Sequence, residues 1–197
     1  MRFLIFLFLF PCGLSAQTLN DYNQERLSLD KNLMIGLGSW SIANVGVSGV
    51  GWATADGEAK YFHQMNVMWS GVNLALALPA YFKARKTDSK GMSFSKTWKE
   101  QGKTEKAFLF NSALDLFYIS GGFYLKQRAL LDAGNYHRYR GWGNSLIMQG
   151  GFLLFFDVAA VILHSKHRKN KLENFWDETT PITLGVTNNG IGLQFHL

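Results

Sequence analysis

Four apolar stretches, Leu33 to Ala53, Gln64 to Phe82, Ala107 to Leu125 and Gly143 to His164, follow a short hydrophobic leader. Each carries an amide or carboxylate near its middle. Each is about 19 to 22 residues long, the length of helix that crosses a ~30 Å hydrocarbon core at 1.5 Å per residue. The pattern predicts an all-α membrane protein: a four-helix transmembrane bundle of two helical hairpins. The polar residues inside the stretches are Asn44, Asn66, Asn73, Asn111, Asp115, Asn144, Gln149 and Asp157. They form the candidate polar core, because an unpaired amide or carboxyl in hydrocarbon costs several kcal/mol and so turns inward toward a partner.

The N-terminus reads as an export signal. Arg2 precedes an apolar run from Leu4 to Phe10, and Leu14-Ser15-Ala16 before Gln17 supplies the small-residue cleavage site. The expected organisation is a signal peptide over 1–16, an exported segment over 17–32, a membrane domain over 33–164 and a basic tail over 165–197. The only cysteine, Cys12, falls in the signal, so the mature chain is expected to hold no thiol, disulfide or cysteine metal site. Mean hydropathy is only −0.04, because polar loops and tails dilute the spans.

The formal charge is +6, and its distribution tells more than its sum. Lys83, Arg85, Lys86, Lys90, Lys96, Lys99, Lys103 and Lys106 all fall between the second and third stretches, interrupted by Phe94 and Trp98. A solvated cap beside a span is the expected reading; contact with anionic headgroups is the alternative. No nucleic-acid motif is present, and no such partner is expected. Export of the N-terminus puts these eight basic residues, with Arg26, Lys31, Lys166, Arg168, Lys169 and Lys171, on the outer side. Only Lys60, Lys126, Arg128, Arg138 and Arg140 remain inside. The positive-inside rule demands the reverse. The signal peptide is the stronger commitment, because insertion of an N-terminus is a discrete event whereas loop charge is a statistical bias.

Within the first stretch Leu37, Trp40, Asn44, Ser48 and Gly51 share one helical face, and its glycines allow close helix approach. In the second, Asn66, Ser70 and Asn73 form a stripe, and Pro79 predicts a kink or stop. Counting from the loop that joins the last two stretches, Asp115 lies roughly 16 Å deep and Gln149 about 12 Å, while Asn111 and Asp157 lie near 22 and 24 Å. Depth therefore pairs Asp115 with Gln149 and Asp157 with Asn111. Asn66 to Asn73 (NVMWSGVN) and Asn144 to Gly151 (NSLIMQGG) are weakly alike, as two duplicated hairpins would be.

Phe62-His63-Gln64-Met65-Asn66, Phe110 to Asp115 with Tyr118, and Gly141 to Asp157 (GWGNSLIMQGGFLLFFD) carry a resemblance to a family of small bacterial four-helix membrane proteins with no assigned function. The resemblance implies a similar membrane domain and no activity.

Beyond His164 the period changes. Ile182, Leu184 and Val186, then Ile191, Leu193, Phe195 and Leu197, alternate with small or polar residues around Asn189-Gly190. A small C-terminal β-hairpin is expected, with Val186 facing Leu193, Leu184 facing Phe195 and Ile182 facing Leu197. Its apolar face should dock on the bundle or on a protein partner.

His63 and His137 lack a second ligand at helical spacing, and His164 and His167 sit among lysines and arginines, so no metal or other cofactor is expected. No nucleophile elbow or phosphate-cradling glycine loop is present, and the chain is not expected to be an enzyme. The expected role is a structural or interaction subunit in the bacterial inner membrane, with lipid as its main partner and self-association as a second. The alternative is a small channel or proton-coupled transporter that uses Asp115, Asp157 and Asn111.

Overall fold

The chain was described from a computed structural model covering residues 12–173, with side chains from Leu19, and covering 182–187 and 190–195 as backbone alone. The expected signal sequence lies largely outside these residues, as do Phe175, Trp176 and Pro181. Four long helices make the body: α1 (Cys12–Thr54), α2 (Gly57–Lys86), α3 (Phe94–Leu131) and α4 (Tyr136–His167). A 3-10 turn at Ala133–Asn135 joins α3 to α4, and a π-helical segment, Arg168–Glu173, extends α4.

α1 and α2 form one antiparallel hairpin and α3 and α4 the other. The two are joined mainly through α2 and α4, which run parallel. Small residues set the close approaches. A Cβ on Gly141 would collide with the Glu58 carbonyl of α2, and one on Gly150 would lie 3.1 Å from the Asp115 carbonyl of α3. Backbones this near gain dispersion contacts that a side chain at either glycine would block.

The interior is more polar than the exterior. Asn66, Ser70, Asn73, Ser112, Asp115, Ser145, Gln149 and Asp157 are buried, whereas Val47, Leu76, Phe110, Phe117, Phe155 and Ile162 are exposed. Two helical regions, Leu19–Thr54 and Ala133–Glu173, are long and apolar enough to cross a membrane. The stretches in α2 and α3, interrupted by amides, histidine and carboxylate, do not reach that mean hydropathy.

The helices overrun the expected spans. α1 has 43 residues and α3 has 38, roughly twice what a ~30 Å core requires. Their N-terminal halves run side by side above the apolar region, so the basic segment after Phe94 is helix rather than a solvated loop. Ser93 caps α3, its side chain accepting from the Lys96 amide at 3.3 Å. Pro79 neither stops α2 nor ends it early; the helix runs on to Lys86.

The expected fold class is corrected at the C-terminus. Residues 12–173 are 94% helical, with four α-helices and no strand, so a C-terminal β-hairpin is not a component of the fold. Beyond these residues the backbone runs as two short antiparallel segments, β1 (Ile182–Thr187) and β2 (Gly190–Phe195). Their register also differs from the expected one: Ile182 is opposite Phe195, Leu184 opposite Leu193 and Val186 opposite Ile191. Alternation and Asn-Gly specify only a local ribbon.

Candidate functional site

The candidate site is a polar layer halfway along the bundle, organised by Gln149 of α4. Its Oε1 accepts from Trp40 Nε1 of α1 at 3.0 Å. Its Nε2 donates to Asn66 Oδ1 of α2 at 3.1 Å and to Asn44 Oδ1 of α1 at 3.3 Å. Ser145, one turn earlier on α4, donates to the same Asn66 oxygen at 2.6 Å. Trp40 is held flat by Phe152, ring centroids 3.8 Å apart. One glutamine thus ties three helices, and its own amide atoms are satisfied by side chains rather than by backbone.

About 80° round α4 from Gln149, Asp157 lies near Asp115 of α3, both side chains buried, and Asp115 Oδ2 has no hydrogen-bond partner among the described residues. Trp69 stands edge-on to Tyr118 at 4.6 Å and carries α2 toward α3 at the same level. Close by, Trp69 Nε1, Ser70 Oγ and Asn73 Nδ2 are buried with no hydrogen-bond partner among the described residues.

The other two candidates lie elsewhere. Asn111 is exposed on α3, beside the buried stripe of Phe108, Ser112, Asp115 and Gly122. Asn144 is near the α1–α2 turn, where its Nδ2 donates to Glu58 Oε1 at 2.5 Å; Arg140 pairs with the same carboxylate at 3.0 Å. The pairings expected from depth are therefore corrected. Asp115 and Gln149 do share a level, as the Gly150–Asp115 approach shows, but Gln149 is turned toward α1 and α2. Axial counting fixes height and says nothing of rotation.

Sequence reasoning missed a second polar network at the basic end. Tyr22 donates to Gln101 Oε1 at 2.8 Å and Asn23 to Thr97 Oγ1 at 2.8 Å, while Gln101 Nε2 donates to the His164 carbonyl at 3.1 Å. His164 is fully buried, its Nε2 3.2 Å from Asp30 Oδ1. Arg168 pairs with Glu105 at 2.9 Å. The available signal was the spacing Tyr22-Asn23-Arg26-Asp30 against Thr97-Gln101-Glu105, two polar stripes of helical period. At the rim, a hydrogen bond from Lys103 holds the Glu100 carboxyl below the usual carboxylate range.

His63 Nδ1 lies 3.3 Å from Ser48 Oγ, and no group of three His, Cys, Asp or Glu suited to a metal occurs among the described residues. A family model described as a family of unknown function, DUF6992, matches residues 36–158, which contain the whole mid-bundle polar layer. No curated protein and no solved structure matches the chain.

Proposed function

We propose, for a chain that belongs to the DUF6992 family of unknown function, that it is a multi-pass protein of the bacterial inner membrane acting as a structural or interaction subunit. Insertion follows a cleavable N-terminal signal, and no catalytic step is assigned. The observation that carries the reading is the inverted distribution of polarity: Gln149, Asn66, Asp115 and Asp157 inside, Phe110, Phe117, Phe155 and Ile162 outside. A water-soluble bundle of this size would bury those aromatic and aliphatic side chains. Lipid, or a second copy of the chain, satisfies them without cost. The Gln149 bonds to Trp40, Asn44 and Asn66 tie the helices together, as a scaffold requires.

A second reading, a small channel or proton-coupled transporter, draws on the Asp115–Asp157 contact and the unpartnered Ser70 and Asn73 nearby. Reconstitution into liposomes separates the two. A scaffold stays in the membrane fraction after alkaline carbonate extraction and adds no proton flux across the vesicle wall. Flux that appears with the wild-type protein and disappears in Asp115→Asn or Asp157→Asn overturns the scaffold reading, and release by carbonate overturns the membrane one.

A further inference from the structure

At the basic end of the bundle, α1, α2 and α3 leave a groove of about 640 Å³ between them, within the ~300–1,000 Å³ range of small-ligand sites. Its two ends differ in chemistry. Toward the apolar region it is walled by Met34 of α1, Ala80 of α2 and Phe108 of α3. Toward the mouth it is walled by four cations, Arg26, Lys83, Lys96 and Lys103, and two carboxylates, Asp30 and Glu100. Lys103 is engaged by Glu100 at 2.7 Å. Arg26 reaches Asp30 only at 3.4 Å through one terminal nitrogen. Its Nε is buried with no hydrogen-bond partner among the described residues, although the residue is 4% exposed. Lys83 and Lys96 form no ion pair among the described residues.

A largely buried guanidinium in the wall of an apolar-floored groove, held only by a long contact to Asp30, is costly unless something anionic completes it. Two further unpaired ammonium groups at the mouth add positive potential at the height where headgroups lie, on the membrane reading given above. We propose that this groove binds an anionic phospholipid, its phosphate at Arg26, Lys83 and Lys96 and its glycerol and upper acyl carbons along Met34, Ala80 and Phe108. A soluble phosphate would meet the same cations but leave the apolar end unused, so a lipid answers both ends of the groove.

The test uses the full chain in nanodiscs of equimolar phosphatidylglycerol and phosphatidylcholine, with retained lipid counted by native mass spectrometry after transfer to detergent. Wild-type protein should retain phosphatidylglycerol preferentially. The exposed double variant Lys83→Ala/Lys96→Ala should lower that retention about thirtyfold, about a factor of five for each lysine. Lys99→Ala/Lys106→Ala, which removes equal charge from α3 outside the groove, should leave it unchanged. Equal retention of the two lipids, no effect of the first double variant, or an equal effect of the second overturns the site. Displacement of the lipid by millimolar glycerol phosphate also overturns it, in favour of a soluble-anion site. A protein that resists carbonate extraction yet shows no lipid preference fails this proposal alone; one that carbonate releases fails the membrane reading first.

Discussion

Gly122 of α3 and Gly143 of α4 face one another so closely that a Cβ on either would collide with the other's carbonyl oxygen, at 2.7 Å and 2.6 Å respectively. This contact sets the distance between the two helices at the end of the bundle away from the lysines. It also brings Asp115 and Asp157 within reach of each other farther along. A methyl group is enough to disturb it, and a neighbour provides the control. Gly121, one residue away, has nothing within 4 Å of its would-be Cβ.

Gly122→Ala should therefore destabilise the protein by about 1–3 kcal/mol, the usual cost of overpacking a close contact. Gly121→Ala should be neutral, or favourable by up to ~1 kcal/mol through helix propensity. Thermal unfolding in mild detergent reads both. Equal behaviour of the two variants would show that the helices do not approach here.

Gln149→Leu keeps volume but removes the bonds to Trp40, Asn44 and Asn66. Leaving the Trp40 and Asn44 groups unpaired should cost about 1–3 kcal/mol. In a double-mutant cycle with Trp40→Phe, a coupling of about 0.6 kcal/mol is expected, the mean for interhelical bonds in lipid. Additive losses in an SDS-unfolding titration would mean that the two side chains do not interact.

Asp157→Asn retains a donor for Asp115 and should leave stability within ~1 kcal/mol of wild type, whereas Asp157→Leu strands the Asp115 carboxyl and should cost about 1–3 kcal/mol. The same unfolding titration distinguishes them. If Asn proves as damaging as Leu, the contact between the two carboxyl groups is not what holds α3 to α4.

Asp132 ends α3 and accepts from the Asn135 side chain at 3.0 Å and its backbone amide at 3.2 Å. The Asn135 side-chain bond chiefly, with its backbone bond, holds the Asp132 carboxyl below the usual range. A depressed folded value means that the contribution is complete above the unfolded pKa of about 3.9 and is lost as pH falls through the folded one. The Asn135 amide should therefore lose exchange protection on acidification, after correction for intrinsic rate, and Asp132→Ala should lack that protection at neutral pH. Protection independent of pH in the wild-type chain would exclude the cap.

Several features were legible in particular residues. The three- and four-residue spacing of Leu37, Trp40, Asn44 and Ser48 marks the inner face of α1, and Asn66, Ser70 and Asn73 mark that of α2. Asn111 was placed inward with Asp115 and is exposed, because neighbours four apart are rotated 40° from each other and the buried stripe passes on the far side of Asp115. The upper halves of α1 and α3 were not legible as packed helix. Tyr22, Asn23 and Arg26 bury themselves against polar partners, Thr97 and Gln101 among them, and hydropathy records such a stripe as solvent-facing.

Read alone, the chain determined that there are four helices, roughly where each lies, and that most of its apolar surface faces outward. These follow from local periodicity, which needs no knowledge of a neighbour. Which helix each polar side chain meets was decided only in three dimensions. α4 packs against both α2 and α3, so Gln149 meets α1 and α2 while Asp157, about 80° round the helix, lies toward α3; spacing gives the angle between two side chains on one helix but not which neighbouring helix lies at that angle. The groove at the basic end has the same origin: Arg26, Lys83 and Lys96 come from three helices, and only the packing of those helices brings them to one mouth.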